Sequence, residues 1–62
     1  MSESFNMSMR KFLKQVGVTS QQAIEEAMRE AGDVDGKEFP VRAVVTIKEL
    51  DLEHEVTGTI KG

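Results

Sequence analysis

Residues Phe39 to Ile60, FPVRAVVTIKELDLEHEVTGTI, hold two runs of alternating polarity, and how they pair decides the fold. Phe39, Val41, Ala43, Val45 and Ile47 share one parity, while Arg42, Thr46 and Lys48 share the other. Alternation with period two, rich in β-branched residues, marks a strand with one buried face. Val44 departs from it by placing an apolar group on the polar parity. Pro40 has no N–H for a ladder and belongs at the start or edge of a strand. A second run sets Leu52, His54, Val56, Gly58 and Ile60 against Glu53, Glu55, Thr57 and Thr59.

An antiparallel hairpin over about 39–48 and 51–60 places Ile47 opposite Leu52, Val45 opposite His54, Ala43 opposite Val56 and Phe39 opposite Ile60. In that register the two apolar faces coincide, as a half-buried hairpin requires. A two-residue tip at Glu49-Leu50 would set Lys48 against Asp51, a charge pair worth roughly 0.3 kcal/mol. Its turn chemistry is poor, because tight hairpin loops select residues that tolerate positive φ. A four-residue loop, Lys48 to Asp51, keeps the parity and eases the strain. A third solution pairs the strands with a second copy, giving a domain-swapped dimer.

Working back towards the N-terminus, Phe5, Met9, Phe12, Leu13 and Val16 fall on one stripe of a helix. Ser4 or Asn6 suits its cap and Gly17 its end, which predicts a helix over about 5–16. Met7 lies off the stripe and is free to meet another element or subunit. Thr19 and Gln22 have the spacing of a capping box, with Val18 and Ala23 as a hydrophobic staple. A second helix over about 20–31 follows, burying Ala23, Ile24, Ala27, Met28 and Ala31 and pairing Glu25 with Arg29. Gly32 ends it, and Asp33 to Lys37 is a turn-rich connector. Two helices followed by a hairpin give an α+β fold, read as one small domain over 1–62.

The chain has 62 residues and no cysteine. A domain of this size buries only roughly 60% of its unfolded surface and needs reinforcement. Disulfides and thiolate-bound zinc are excluded, and a single histidine argues against a His-based zinc site. A partner chain is the remaining support, so a homodimer joined through its sheet is expected. The net charge of −3 argues against a general polyanion binder. No apolar run approaches a membrane span, and MSESFNMSMRKF lacks the apolar core of a signal peptide, so a cytoplasmic location is expected.

Three constellations invite chemistry. Residues 12–24, FLKQVGVTSQQAI, have the outline of a helix-turn-helix in which Ser20, Gln21 and Gln22 would meet bases. Glu25, Glu26 and Glu30 on the same second helix oppose the phosphate contacts that supply most affinity. His54 shares its parity with Leu52 and Val56, yet a general base needs an orienting partner, and Glu53 and Glu55 point the other way. Asp51, Glu53 and Glu55 would lie along one flat strand face, where carboxylates do not converge on a cation. A solvated face that protects a sheet edge suits them better. No catalytic, metal or cofactor-binding residue is therefore assigned.

The segments NMSMRKFLKQVGVTSQQAIEEAMREA (Asn6 to Ala31) and LDLEHEVTG (Leu50 to Gly58) resemble a family of short bacterial proteins without an assigned activity. The resemblance implies a compact helix-helix-hairpin protein of proteobacterial type and brings no substrate, cofactor or catalytic residue. The expectation is a non-enzymatic interaction or structural module that homodimerises through its sheet. Met7, Val44, His54 and Val56 are its interface candidates, and an additional protein partner is compatible with it. The alternative is a DNA-binding regulator that uses residues 12–24.

Overall fold

Ser2, rather than Ser4 or Asn6, opens the first element. Its backbone is extended and its Oγ accepts a hydrogen bond from the Phe5 N–H at 3.1 Å, satisfying one of the unpaired donors of a helix start. The computed structural model describes residues 2–62. Helix α1 then runs from Glu3 to Ala31 without a break. Gly32 ends it with φ 84°, and its N–H donates to the Arg29 carbonyl at 3.3 Å.

The two helices expected over 5–16 and 20–31 are thus one. Gly17 does not adopt the left-handed conformation of a helix-ending glycine; the positive-φ glycines are Gly32 and Gly36. Thr19 does not cap a new helix either. Its Oγ donates to the Gln15 carbonyl at 2.8 Å, the bond a threonine makes inside a continuing helix. The interior glycine costs about 1 kcal/mol relative to alanine, which twenty-nine residues of uninterrupted hydrogen bonding can carry. The apolar stripes of the two halves are also in phase, since Val16 and Ala23 stand two helical turns apart. Near the C-terminal end Arg29 pairs with Glu26 at 2.6 Å, in place of the expected Glu25.

The connector works as its composition suggests. The Asp33 carboxylate accepts from the Asp35 N–H, Lys37 N–H donates to the Val34 carbonyl at 3.1 Å, and Gly36 takes φ 75°. A positive φ at the third residue is the type II pattern that favours glycine.

Strands β1 (Glu38–Ile47) and β2 (Leu52–Lys61) form a two-stranded antiparallel sheet within the chain. The register pairs Phe39 with Ile60, Ala43 with Val56, Val45 with His54 and Ile47 with Leu52, as the coincidence of apolar faces demands. The four-residue loop is the one adopted. Lys48–Leu50 make a 3₁₀ turn, and Asp51 carries the positive φ (52°) that Glu49-Leu50 would have borne poorly. Aspartate tolerates that conformation better than other non-glycine residues. Lys48 and Asp51 are joined by a backbone bond, Asp51 N–H to the Lys48 carbonyl at 3.1 Å, rather than as a cross-strand pair.

The chain divides into two compact units, Met1–Gly32 and Asp33–Gly62. No described residue is buried, so neither unit closes a core of its own. The fold is α+β, with one helix where two were expected.

The unbroken helix has a direct test in Gly17→Ala. A Cβ at position 17 meets nothing within 4 Å, so the substitution should stabilise the chain by about 1 kcal/mol, read by thermal melting in circular dichroism. A loss of stability would mean that the chain turns at Gly17.

Candidate interaction surface

Strand alternation sorts the hairpin into two unlike faces. One carries Phe39, Val41, Ala43, Val45 and Ile47 from β1 with Leu52, His54, Val56, Gly58 and Ile60 from β2. Phe39, Val41, Val45 and Ile60 are half-buried by their neighbours, while Ile47, Leu52 and Val56 are exposed, Val56 to 54%. Gly58 leaves a notch opposite Val41, where a Cβ would touch Val41 Cγ1 at 3.7 Å. His54 is the one polar side chain on this face.

The other face is polar. Arg42 Nη1 donates to Glu55 Oε2 at 3.1 Å across a diagonal of the ladder, with Thr46, Glu53, Thr57 and Thr59 around them. Val44 stands directly opposite Glu55 and is 46% exposed.

The four interface candidates therefore do not share a surface. His54 and Val56 lie together on the apolar face, opposite Val45 and Ala43. Val44 lies on the polar face. Met7, 64% exposed, belongs to α1, on the side away from its stripe and in line with Lys11, Lys14 and Val18.

The constellations considered for chemistry are rearranged as well. Asp51 sits in the loop in the left-handed conformation, so it does not continue a strand face with Glu53 and Glu55. Glu55 is engaged by Arg42. No group of three acidic or histidine side chains able to hold a metal occurs among the described residues. Residues 12–24 contain no turn, so the geometry that would present Ser20, Gln21 and Gln22 as a recognition helix is missing. Lys11, Lys14, Gln15, Val18 and Thr19 instead line a shallow, open depression on the flank of α1.

The two apolar stripes expected on separate helices are joined by the structure into one. Phe5, Met9, Phe12, Leu13 and Val16 continue into Ala23, Ile24, Ala27 and Ala31 as a single stripe along α1, with Met28 at its edge. Val16, Ile24 and Met28 are half-buried, and Phe5, Met9, Phe12 and Leu13 are exposed. The phase agreement between the two halves was the available signal.

The model of a family of unknown function, DUF6494, matches residues 1–62. The chain belongs to this family. Nothing in the family's description names a substrate, ligand or partner, so the helix and hairpin themselves carry the functional argument. No curated protein and no solved structure matches the chain. No helix among the described residues is long and apolar enough to cross a membrane.

The polar face offers a check on which side of the hairpin stays in water. Arg42 and Glu55 side chains are 68% and 51% exposed, which places their pairing among surface ion pairs. A double-mutant cycle with Arg42→Ala and Glu55→Ala should give a coupling of about 0.2–1 kcal/mol that shrinks as salt rises. A larger coupling, insensitive to salt, would show that something covers this face.

Proposed function

We propose that this protein is a non-enzymatic interaction module that pairs with a second copy of itself through the apolar face of its hairpin. One observation carries the proposal. The face formed by β1 and β2 is apolar over both strands apart from His54, carries no Asp, Glu, Lys or Arg, and contains no buried residue. A two-stranded hairpin alone is marginal in water, and it gains stability only by covering such a face.

A second copy is a fitting cover because each surface lacks what would repel the other. Two such hairpins can stack at the roughly 10 Å spacing of packed sheets, with Gly58 giving room beside Val41. No exchange of strands is needed, since β1 and β2 pair within one chain. Val56 and His54 fall inside this contact and Val44 falls outside it.

The magnitude sets the strength of pairing. Full burial of a Val, Leu or Ile side chain is worth about 1.5–3 kcal/mol, and Ile47, Leu52 and Val56 have roughly half of that still to gain. Contributions of this size from both copies only match the association cost of about 4–15 kcal/mol. The hairpin face by itself therefore supports a weak, concentration-dependent pair.

Light scattering behind a sizing column should show a mass rising towards twice 6.9 kDa as concentration increases. Val56→Lys should return the protein to the monomer, and Val44→Lys on the opposite face should leave the pairing intact. A monomeric mass at every concentration overturns the proposal.

A further inference from the structure

From the ladder of the hairpin we infer a contact between copies along the outer edge of β2. Two β2 strands, one from each chain, pair antiparallel and join the hairpins into one four-stranded sheet. This contact uses a different surface from the stacked faces and does not depend on them. β2 pairs with β1 on one side, and no other strand among the described residues joins the sheet. Gly62 N–H donates to the Lys37 carbonyl at 2.8 Å, one step beyond the Glu38–Lys61 pair of the register. Antiparallel ladders alternate between hydrogen-bonded and open pairs, so Ile60, Gly58, Val56, His54 and Leu52 bond inward to β1. Glu53, Glu55, Thr57, Thr59 and Lys61 therefore turn their N–H and C=O outward. Such a row is a template for a further strand.

The two edges of the hairpin are not equivalent. The same phase turns Glu38, Pro40, Arg42, Val44 and Thr46 outward on β1. Pro40 has no N–H, so it removes a donor from that edge and guards it. The edge of β2 has no proline. Pairing β2 with β1 of the next chain would leave one edge of each kind open and run on without closing. Pairing β2 with β2 closes on a two-fold axis and leaves only the proline-bearing edges outside. It also supplies the third and fourth strands that a lone hairpin lacks for stability.

The residues of β2 suit one alignment with a second copy. Its first half carries Glu53 and Glu55, and its second half Thr57, Thr59 and Lys61. A two-fold axis at Val56 sets Glu55 opposite Thr57 and Glu53 opposite Thr59, with Lys61 on the diagonal. On the apolar face it sets Val56 against Val56, Leu52 against Ile60, and His54 against the notch at Gly58. Opposite residues share their parity, so the apolar faces of both hairpins become one. The two Glu55 side chains stand diagonal across the axis, and each is already held by Arg42 at 3.1 Å. Moving the axis to Glu55 would set that carboxylate directly against its own copy, which is destabilising. Moving it to Thr57 would pair Val56 with Gly58 and leave Leu52 opposite Gly62, beyond the strand.

The absence of cysteine permits a direct test in the full-length protein. Val56→Cys should form a disulfide-linked dimer under mild oxidation. Opposite residues of an open pair stand about 4.5 Å apart at Cα, inside disulfide reach. Stacked faces hold residue 56 at least about 10 Å from its counterpart, outside that reach. As a second arm, Thr57→Glu places a carboxylate opposite Arg42 within the hairpin and opposite Glu55 of the other copy. It should weaken the dimer about tenfold at low salt, through one repelling pair on each side of the axis. Adding Glu55→Thr to the same chain should restore pairing, both changes being read by light scattering. A dimer that Val56→Cys does not lock and Thr57→Glu does not weaken overturns the edge contact and leaves the stacked faces standing. Locking at a mass that never exceeds twice 6.9 kDa upholds the edge contact without the stacked faces. Faster locking of Thr57→Cys than of Val56→Cys overturns the register, as does failure of Glu55→Thr to restore pairing. A monomer at every concentration, with no disulfide in Val56→Cys, overturns the contact and leaves the edge to a strand of another protein.

Discussion

Everything in this molecule depends on the continuity of α1 through Gly17. A glycine in mid-helix costs about 1 kcal/mol and would be an easy place to turn. Because the chain does not turn there, the two halves of the apolar stripe are fixed on one rod. The remaining thirty residues can make only a two-stranded hairpin. An isolated helix and an isolated hairpin are both marginal in water, since each spends conformational entropy on ordering without removing much apolar surface from solvent. The lack of any buried residue within either unit is the same fact seen from the side chains.

Local chemistry decides where each element stops, and much of that was legible. The hairpin register followed from parity alone, because a slip by one residue would have sent Phe39, Val41 and Val45 to the face of Arg42 and Thr46. The strained position in the reversal was legible only in part. Glu49-Leu50 signalled that a tight tip was unsuitable, but the identity of Asp51 as the left-handed residue depends on the 3₁₀ turn before it. Gly32 ended the helix as expected, through its positive φ and its bond to Arg29. Gly17 followed by Val-Thr-Ser-Gln-Gln looked equivalent and was not. A capping box is a set of side chains able to bond the backbone of a helix start, and Thr19 is equally able to bond the carbonyl of Gln15 behind it. Residue type does not distinguish these two bonds; the in-phase stripes on either side do.

The candidate surface was legible as composition but not as geometry. His54 and Val56 were placed on the apolar face by their parity, and the register keeps them there. Val44 was grouped with them because it is apolar, although its parity assigns it to the side of Arg42 and Glu55. Met7 was singled out for lying off the stripe, and on a continuous helix that position means the opposite side from Met9 rather than a boundary between elements. Surplus apolarity identifies residues that want a cover. Only the periodicity of the element shows which of them can share one.

Two apolar surfaces on one small chain differ in what they can specify. The hairpin face is nearly uniform, so it favours burial but sets little orientation. The helix stripe is bulkier in its first half, with Phe5, Met9, Phe12 and Leu13, than in its second, where Ala23, Ala27 and Ala31 stand beside Ile24. Folding and pairing would be one linked equilibrium, because neither unit gains a core before its partner arrives. Such linkage would let a chain of this size, which has no cysteine for a disulfide, hold a defined structure without a core of its own.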